Sequence, residues 1–456
     1  MKKMLIILLI MHTGIFMRAQ QNLGIRNSNY AGIQGALINP SSIADSKLKW
    51  DINIIAVDEV FDNTFLFAPK NSLNFLGFKK IIKGALKEDL FTTHFDPQHP
   101  DKLYNVTFSG EALGPSFFLK LPKKQAIGFS VSARAYANIN NISGTLSQNL
   151  FDYFLNKSLW GTELHDNSAK INEMSWMQYG VHYAAVLYND GRNELKAGIS
   201  LNYLLGNTAA FVKNTHINYR INDSSNFILN NSSIDYGRTD INKPADFNNG
   251  HGFGADMGLT YLHYNSDSKN YLYRIGLSLI DLGAINYKNN SAAFHLQADS
   301  VNLSNWHQLK FSNNIEFDRT ISAFFYQGDS TKSLTADHFK MGLPAAISIQ
   351  ADWNFRQNYF INATIIKGFG HADGQGVVRP DVYSITPRYE TKITEVSVPL
   401  SLLYYGHLKP RMGVAVRYRY FFIGGDAPGS LLKLSNLEGV DFYVGVRFFV
   451  FDNNVK

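Results

Sequence analysis

Asp441-Phe442-Tyr443-Val444-Gly445-Val446-Arg447-Phe448-Phe449-Val450-Phe451 is the stretch on which the reading of this chain turns. Side chains in a strand alternate between two faces with a period of two. Phe442, Val444, Val446, Phe448 and Val450 therefore share one wholly apolar face. Tyr443, Gly445, Arg447 and Phe449 share the other, which is mixed and carries a charge. A soluble sheet can bury such an apolar face, and a membrane barrel can turn it to lipid. Insertion signals of outer-membrane barrels end on an aromatic, and Phe451 supplies one. The tail Asp452-Asn453-Asn454-Val455-Lys456 is then expected to be dispensable for assembly.

The same alternation recurs upstream. Strands are predicted over Asp51–Val57, Asn63–Phe67, Tyr104–Gly110, Pro115–Lys120, Gln125–Ile139, Ser175–Tyr188, Asn193–Gly206, Gly252–Tyr264, Tyr271–Leu282, Leu309–Arg319, Pro344–Phe355, Tyr359–Lys367, Val382–Glu390, Glu395–Gly406 and Arg411–Ile423. Asp190-Gly191 between two alternating runs is a strong hairpin signal. Ile221–Gly250 and Asn286–Trp306 are dominated by polar residues and read as loops, the first with room for one short hairpin. Two stretches change period. Ser72–Phe91 places Phe75, Phe78, Ile81, Ile82, Ala85, Leu86 and Leu90 at helical steps with four lysines between them. Such a helix can lie on anionic headgroups or simply cap a loop. Leu146–Trp160 also reads as helical. With a margin of two for how these segments are divided, and the even strand numbers that bacterial barrels favour, the chain is assigned about 14 strands. A β-propeller would require a repeat of about 40–50 residues, and none is found.

Targeting agrees with a membrane barrel. Met1–Ala19 reads as a secretory signal peptide, with Lys2 and Lys3 before the apolar run Met4–Ile10 and a small residue, Ala19, before Gln20. With no cysteine, the chain has no disulfide, no thiolate metal site and no lipidated N-terminus. No later window approaches the ~18 consecutive apolar residues of a membrane helix. Phe (33), Tyr (24) and Gly (35) are abundant and Pro (13) is scarce, as suits strands with aromatic girdles. The formal charge of +6 comes without a basic block, which speaks against nucleic acid as a partner.

The non-apolar strand faces carry Arg134, Lys196, Asp256, Arg274, Asp352, Arg417, Arg419 and Arg447. These are the lumen and ligand candidates, since a charge facing lipid near the midplane costs ~2–4 kcal/mol. A lumen so rich in basic groups could attract anionic or amphiphilic carboxylate solutes. Alternatively, the charges pair with Asp256, Asp352 and loop acids to fill the interior. Tyr188, Tyr203, Tyr264, Tyr404, Tyr405, Tyr420, Phe421 and Phe422 fall near strand ends, where aromatic belts form. No motif points to an enzyme or a cofactor. His94 and His99 flank Asp96-Pro97, a spacing that suits a metal pair but better suits a solvated loop.

Tyr30-Ala31-Gly32, followed by Ile38-Asn39-Pro40-Ser41-Ser42-Ile43-Ala44-Asp45, resembles the start of a family of outer-membrane barrel proteins of unknown function from the Bacteroidota. More distantly, the Asn-Pro element is similar to the long-chain fatty-acid transporter family, and the architecture to the type IX secretion shuttle barrels. Gly276–Gly283 resembles a strand-plus-turn of such barrels. The resemblance implies a 14-stranded barrel whose N-terminal segment lies inside as a hatch, shaped by Asn39 and Pro40. This chain has Asn-Pro-Ser-Ser where the transporters tend to have Asn-Pro-Ala-Gly, a departure at the hatch itself.

The expectation is an all-β, transmembrane antiparallel β-barrel in the outer membrane, with an N-terminal plug and short loop helices. Residues 1–19 form the signal peptide, 20–47 the plug and 48–456 the barrel. Its expected role is passive transport of a hydrophobic or amphiphilic small molecule, with outer-membrane lipid around it. The alternative is a non-transport barrel in secretion or surface-protein attachment, whose polar loops bind secretion-system proteins. A ligand-sized apolar cavity beside Asn39–Ile43 would favour transport, and a filled lumen with large ordered exterior loops the alternative.

Overall fold

The closing stretch finds its partner at the other end of the chain. In the computed structural model, Gly439–Phe451 pairs antiparallel with Leu48–Asn63, Leu48 opposite Phe451 and Asp62 opposite Gly439. That ladder joins the two edges of the sheet. Among the described residues, 14 antiparallel strands close into a barrel. The structure describes residues 22–44, 46–70, 91–152, 154–166, 168–223, 225–240, 247–265, 270–304, 309, 311–406, 408–426 and 436–452. The predicted signal peptide and, but for Phe91, the predicted basic helix lie outside them.

The alternation of the closing stretch is realised as inside and outside. Tyr443, Gly445, Arg447 and Phe449 are buried, while Phe442, Phe448 and Val450 are exposed. Around the wall the same outward set is apolar: Val181, Leu201 and Phe253 each keep at least 60 % of their surface exposed, and Ile275, Leu277, Ile349, Ile365, Ile385, Leu402 and Val416 join them. Such a band has one solvent that rewards it, the hydrocarbon of a bilayer. Leu48 and Phe451 share one rim with the turns at Asp190-Gly191 and Arg419-Tyr420, and the other rim carries the long connections and the short one after Tyr404. At the turn after Lys170–Asn189, Asp190 accepts from the Asn193 side chain and from the backbone N–H groups of Asn193 and Arg192. The Asn193 amide first, then those N–H groups, hold its carboxyl well below the ordinary carboxylate range.

Several strand boundaries differ from expectation, each for a local reason. Asp51–Val57 and the start of Asn63–Phe67 belong to one strand, Leu48–Asn63, and Leu66–Phe67 pairs separately with Thr92–Thr93. Leu103–Leu113 and Ser116–Leu121 run in line between the same two neighbours. Pro115, lacking an N–H, interrupts the ladder between them. The Asn53 side chain fills that break, donating to the carbonyls of Leu113 and Gly114 at 3.0 Å each. Arg411–Ile423 is not one strand: it turns at Arg419-Tyr420, with Arg419 at φ +49°, between Val414–Tyr418 and Phe421–Gly425. Leu309–Arg319 is not a strand either. Asn314–Phe325 is a helix, capped by Asn313 accepting from the Glu316 N–H at 2.9 Å, and Ile321, Phe324 and Phe325 pack inward.

The largest departure lies above the long-loop rim. Asn193–Ile221 runs for 29 residues and leaves the barrel near Gly206, where its pairing with Gly250–Tyr264 ends. Beyond that point it pairs with Asn226–Thr239, which pairs with Ser291–Ser304. Both were expected as polar loops. Their alternation is sparse, but Leu229, Tyr236, Phe294, Leu296 and Val301 bury one face against Phe325, and the polar residues take the solvent face. Gly144–Phe151 and a short turn at Lys157–Leu159 cover part of the predicted helix Leu146–Trp160.

The C-terminal tail is anchored for one residue longer than expected. Asp452 pairs with Lys120 at 2.7 Å and its N–H donates to the Lys47 carbonyl. Phe451 meets the Tyr30 ring edge-on at 5.8 Å. Cutting after Asp452 should therefore leave assembly intact, whereas Phe451→Ala should reduce the heat-modifiable band on a gel by more than half. Equal bands for the two variants would refute this.

Candidate functional site

Asn22 to Ala44 lies within the barrel, almost wholly buried, as two single-turn helices, Leu23–Arg26 and Ile33–Ala36, and a 3₁₀ turn, Pro40–Ile43. Asn39 caps that turn and fastens it to the wall. Its Oδ1 accepts from the Ser41 N–H and hydroxyl, at 3.1 and 2.7 Å. Its Nδ2 donates to Gln350 Oε1 at 3.0 Å and to Thr260 Oγ1 and the Leu259 carbonyl at 3.3 Å each. Pro40 fits the first helical position, where a missing N–H costs nothing. The wall beneath is flattened by glycine. A Cβ on Gly198 would lie 2.4 Å from backbone atoms of Pro40 and Ser41, and one on Gly258 would lie 2.0 Å from Asn39 Oδ1.

Charged side chains ring this segment, and seven of the eight candidates are among the buried or half-buried inner groups. Arg447 donates to the carbonyls of Ala31 (2.5 Å) and Tyr30 and faces Asp51 at 3.7 Å. Arg417 binds Glu395 at 3.0 Å and donates to the carbonyls of Thr391, Lys392 and Ile393, closing the turn below it. Arg274 reaches Asp352 (2.9 Å) and the Asn27 carbonyl (2.7 Å). Lys196 meets Glu194 (3.2 Å) and the Ala44 carbonyl (2.9 Å). Asp256 accepts from the Asn202 amide and the Asp281 N–H. Arg134 holds Asp281 with both nitrogens, at 2.5 and 2.8 Å. Arg419 is the exception: it lies exposed in the turn described above and does not face the lumen.

An unpaired basic lumen is not what these contacts make. Acids missing from the sequence reading neutralise it: Glu111 binds Arg26, Glu390 binds Arg388, and Asp51, Glu194, Asp281 and Glu395 take the partners just named. The cavity beside Asn39 is small, about 80 Å³, and mixed, with Lys47, Lys196, Arg274 and Gln350 beside Ile38, Leu262 and Tyr271. Among the described residues, the cavity beside Asn39–Ile43 is too small to be the ligand-sized apolar one that was sought.

Apolar surface appears instead nearer the long-loop rim. Tyr136, Met174, Trp176, Leu204, Ile285, Tyr287, Met341 and Leu343 form one buried cluster on the inner face, with Trp176 stacked on Tyr136 at 5.9 Å. Its filling piece comes from a connection. After Tyr359–Gly368 the chain crosses the lumen before returning as Asp381–Glu390, and Val377 inserts, fully buried, into the cluster. The far wall receives this loop: Asn172 Oδ1 accepts from the Gly376 N–H at 3.1 Å and Asn138 Oδ1 from the Val378 N–H at 2.8 Å. Arg379 reaches Asp281 at 2.5 Å, so Asp281 lies between two guanidinium groups. A second cavity, about 300 Å³, opens above the loop among Asn140, Lys170, Gly370, His371 and Tyr404.

The model of a family described as a family of unknown function, DUF5723, matches residues 71–426. The chain belongs to that family. No curated protein matches the sequence. Among solved structures, the chain is similar to the deltaS2S3 mutant of the TodX monoaromatic hydrocarbon channel, at 9 % identity over 93 % of this chain and 95 % of that one, with a TM-score of 0.46. It is also similar to the toluene transporter TbuX of Ralstonia pickettii, at 9 % over 92 % and 94 % with a TM-score of 0.41. TodX of Pseudomonas putida, a toluene transporter, gives 9 % over 91 % of each chain and 0.40.

Of the predicted belt aromatics in this DUF5723 barrel, Tyr188, Tyr203, Tyr404, Tyr420 and Phe421 face outward, while Tyr405 and Phe422 are buried inside. His99 bonds to Asp96 and His94 to Glu438, and no cluster among the described residues could hold a metal. Arg379 and Val377 escaped the sequence reading because they lie in a glycine-rich connection with no period. Gly368, Gly370, Gly374 and Gly376 were the available signal, marking backbone that can pass where side chains would not.

Proposed function

We propose that this chain is an outer-membrane β-barrel that passes small hydrophobic or amphiphilic molecules, and that the described arrangement is its closed form. The buried apolar cluster around Trp176, called the chamber below, is the observation that supports it. A barrel interior is ordinarily polar, and the plug below is held by charge pairs and amides. Eight apolar side chains gathered at one level of the lumen make a surface that an uncharged molecule can share. Narrowness supports a shut state, because Val377, Arg379 and the plug fill the path.

Cells lacking the chain should take up an uncharged apolar dye several-fold more slowly across the outer membrane than cells that carry it. Met174→Arg, which puts a charge into the chamber, should fail to restore the rate although the barrel assembles. Equal dye entry with and without the chain would end the transport reading. The ordered sheet above the rim favours a second role in secretion or surface-protein attachment. Ile315 and Phe317 leave apolar surface exposed on its helix, and Leu334 does so on an edge strand. Co-purification of secretion components that is lost on removing that sheet would support it.

A further inference from the structure

We infer that Val377 is a tethered competitor: it occupies the ligand site of the chamber, and an entering compact, uncharged apolar group binds by exchanging with it. This rests on the transport reading above. Connections normally run over a protein's surface, because buried backbone needs partners. Here the crossing backbone has partners supplied by side chains of the far wall, Asn138 and Asn172, and by Gly342, whose N–H donates to the Gln375 carbonyl and whose carbonyl accepts from the Val377 N–H. The wall is thus shaped to receive the loop. The attachment is nevertheless slight. One valine side chain, a few hydrogen bonds and the Arg379–Asp281 pair hold a segment that belongs to no strand.

The segment also has the means to leave. Gly374 and Gly376 adopt φ of +74° and +150°, and Gly368 and Gly370 precede them. The 300 Å³ cavity on the outer side is lined by the loop itself and by the wall, which gives withdrawal a direction. Withdrawal of Arg379 does not leave Asp281 unpaired, since Arg134 still binds both carboxylate oxygens. A molecule that presents an apolar group replaces what Val377 gives up. One that carries a charge does not, because the charge beside the cluster, Arg134 over the Trp176 and Tyr136 rings, is already paired with Asp281.

The test uses the purified full chain in detergent, with an uncharged apolar dye as probe and quenching of Trp176 as the signal, Trp176→Phe serving as blank. Val377→Gly removes the competitor and keeps the backbone. It should bind the dye about tenfold more tightly, the gain expected if the site is free about a tenth of the time in the natural chain. The chain has no cysteine, so Asn138→Cys with Val378→Cys can be added as a lock. Oxidation should abolish dye binding and reduction should restore it. If the natural chain binds dye and Val377→Gly binds no tighter, the tethered competitor is wrong and the transport reading stands. Dye binding that persists in the oxidised double cysteine variant overturns it independently of how Val377→Gly folds. If neither the natural chain nor Val377→Gly binds any dye, both readings fall together.

Discussion

Gly198→Val will unseat the N-terminal segment from the barrel while the barrel itself still assembles. The added Cβ would lie 2.4 Å from the Pro40 carbonyl carbon and the Ser41 nitrogen, where real Cβ atoms do not approach. Those are backbone atoms of a capped 3₁₀ turn, not the end of a flexible side chain, so the turn must move as a body. With it go the three Asn39 contacts to the wall, the 2.6 Å bond between Ser41 and Thr260, and the donations of Ser278 to Ile38 and Lys196 to Ala44. Several buried groups lose partners at once, so a loss above ~4 kcal/mol is expected. Limited proteolysis of the folded protein should then release the segment before Leu48, which resists in the natural chain. Ala197→Val, one residue away on the same strand, should change nothing. Equal resistance in Gly198→Val would mean that the segment is not held by this patch.

That glycine patch shows which features a sequence gives up easily. Alternation is local, so the outward faces of Gln125–Ser143, Tyr359–Gly368 and the closing stretch were legible, as was the Asp190-Gly191 turn. The Asn39-Pro40 element was legible as a turn, but its seat was not: Gly198 and Gly258 are ordinary strand glycines until pairing puts them opposite each other. Arg419 was placed inside because a two-residue turn without glycine leaves the alternation of its neighbours unbroken. Asp281 was overlooked for the opposite reason. At φ +56° it sits in an irregularity of Tyr271–Tyr287, where period two loses its phase. The strand number came out right although its parts did not. Two merged pairs and one lost strand were offset in part by the split at Arg419. The apolar chamber was beyond reach, since it is assembled from strands far apart in sequence and from one valine in a connection.

Arg447 and Asp51 carry the other large effect, and it returns to the closing stretch. Both are wholly buried, on the two strands that seal the barrel, and their charges are 3.7 Å apart. Each also holds the N-terminal segment: Arg447 through the carbonyls of Tyr30 and Ala31, Asp51 by accepting from the Ile33 N–H at 2.9 Å. Gly32 turns between them at φ +64°, with no space for a Cβ, which would lie 2.2 Å from Asp51 Oδ2. Arg447→Ala leaves a buried carboxylate without its counter-charge and two carbonyls without donors. Breaking a buried pair in this way costs ~3–5 kcal/mol, read as a lower urea midpoint of unfolding in lipid vesicles. Arg447→Met with Asp51→Asn separates the two causes. The amide still accepts from Ile33 and no charge is left stranded, so the double variant should recover ~1–3 kcal/mol relative to Arg447→Ala. If it recovers nothing, the carbonyls of Tyr30 and Ala31 carry the stabilisation and the ion pair is incidental. If Arg447→Ala itself unfolds at the natural midpoint, the closing strand does not depend on its charge, and the inward face of that strand is no more than a filled interior.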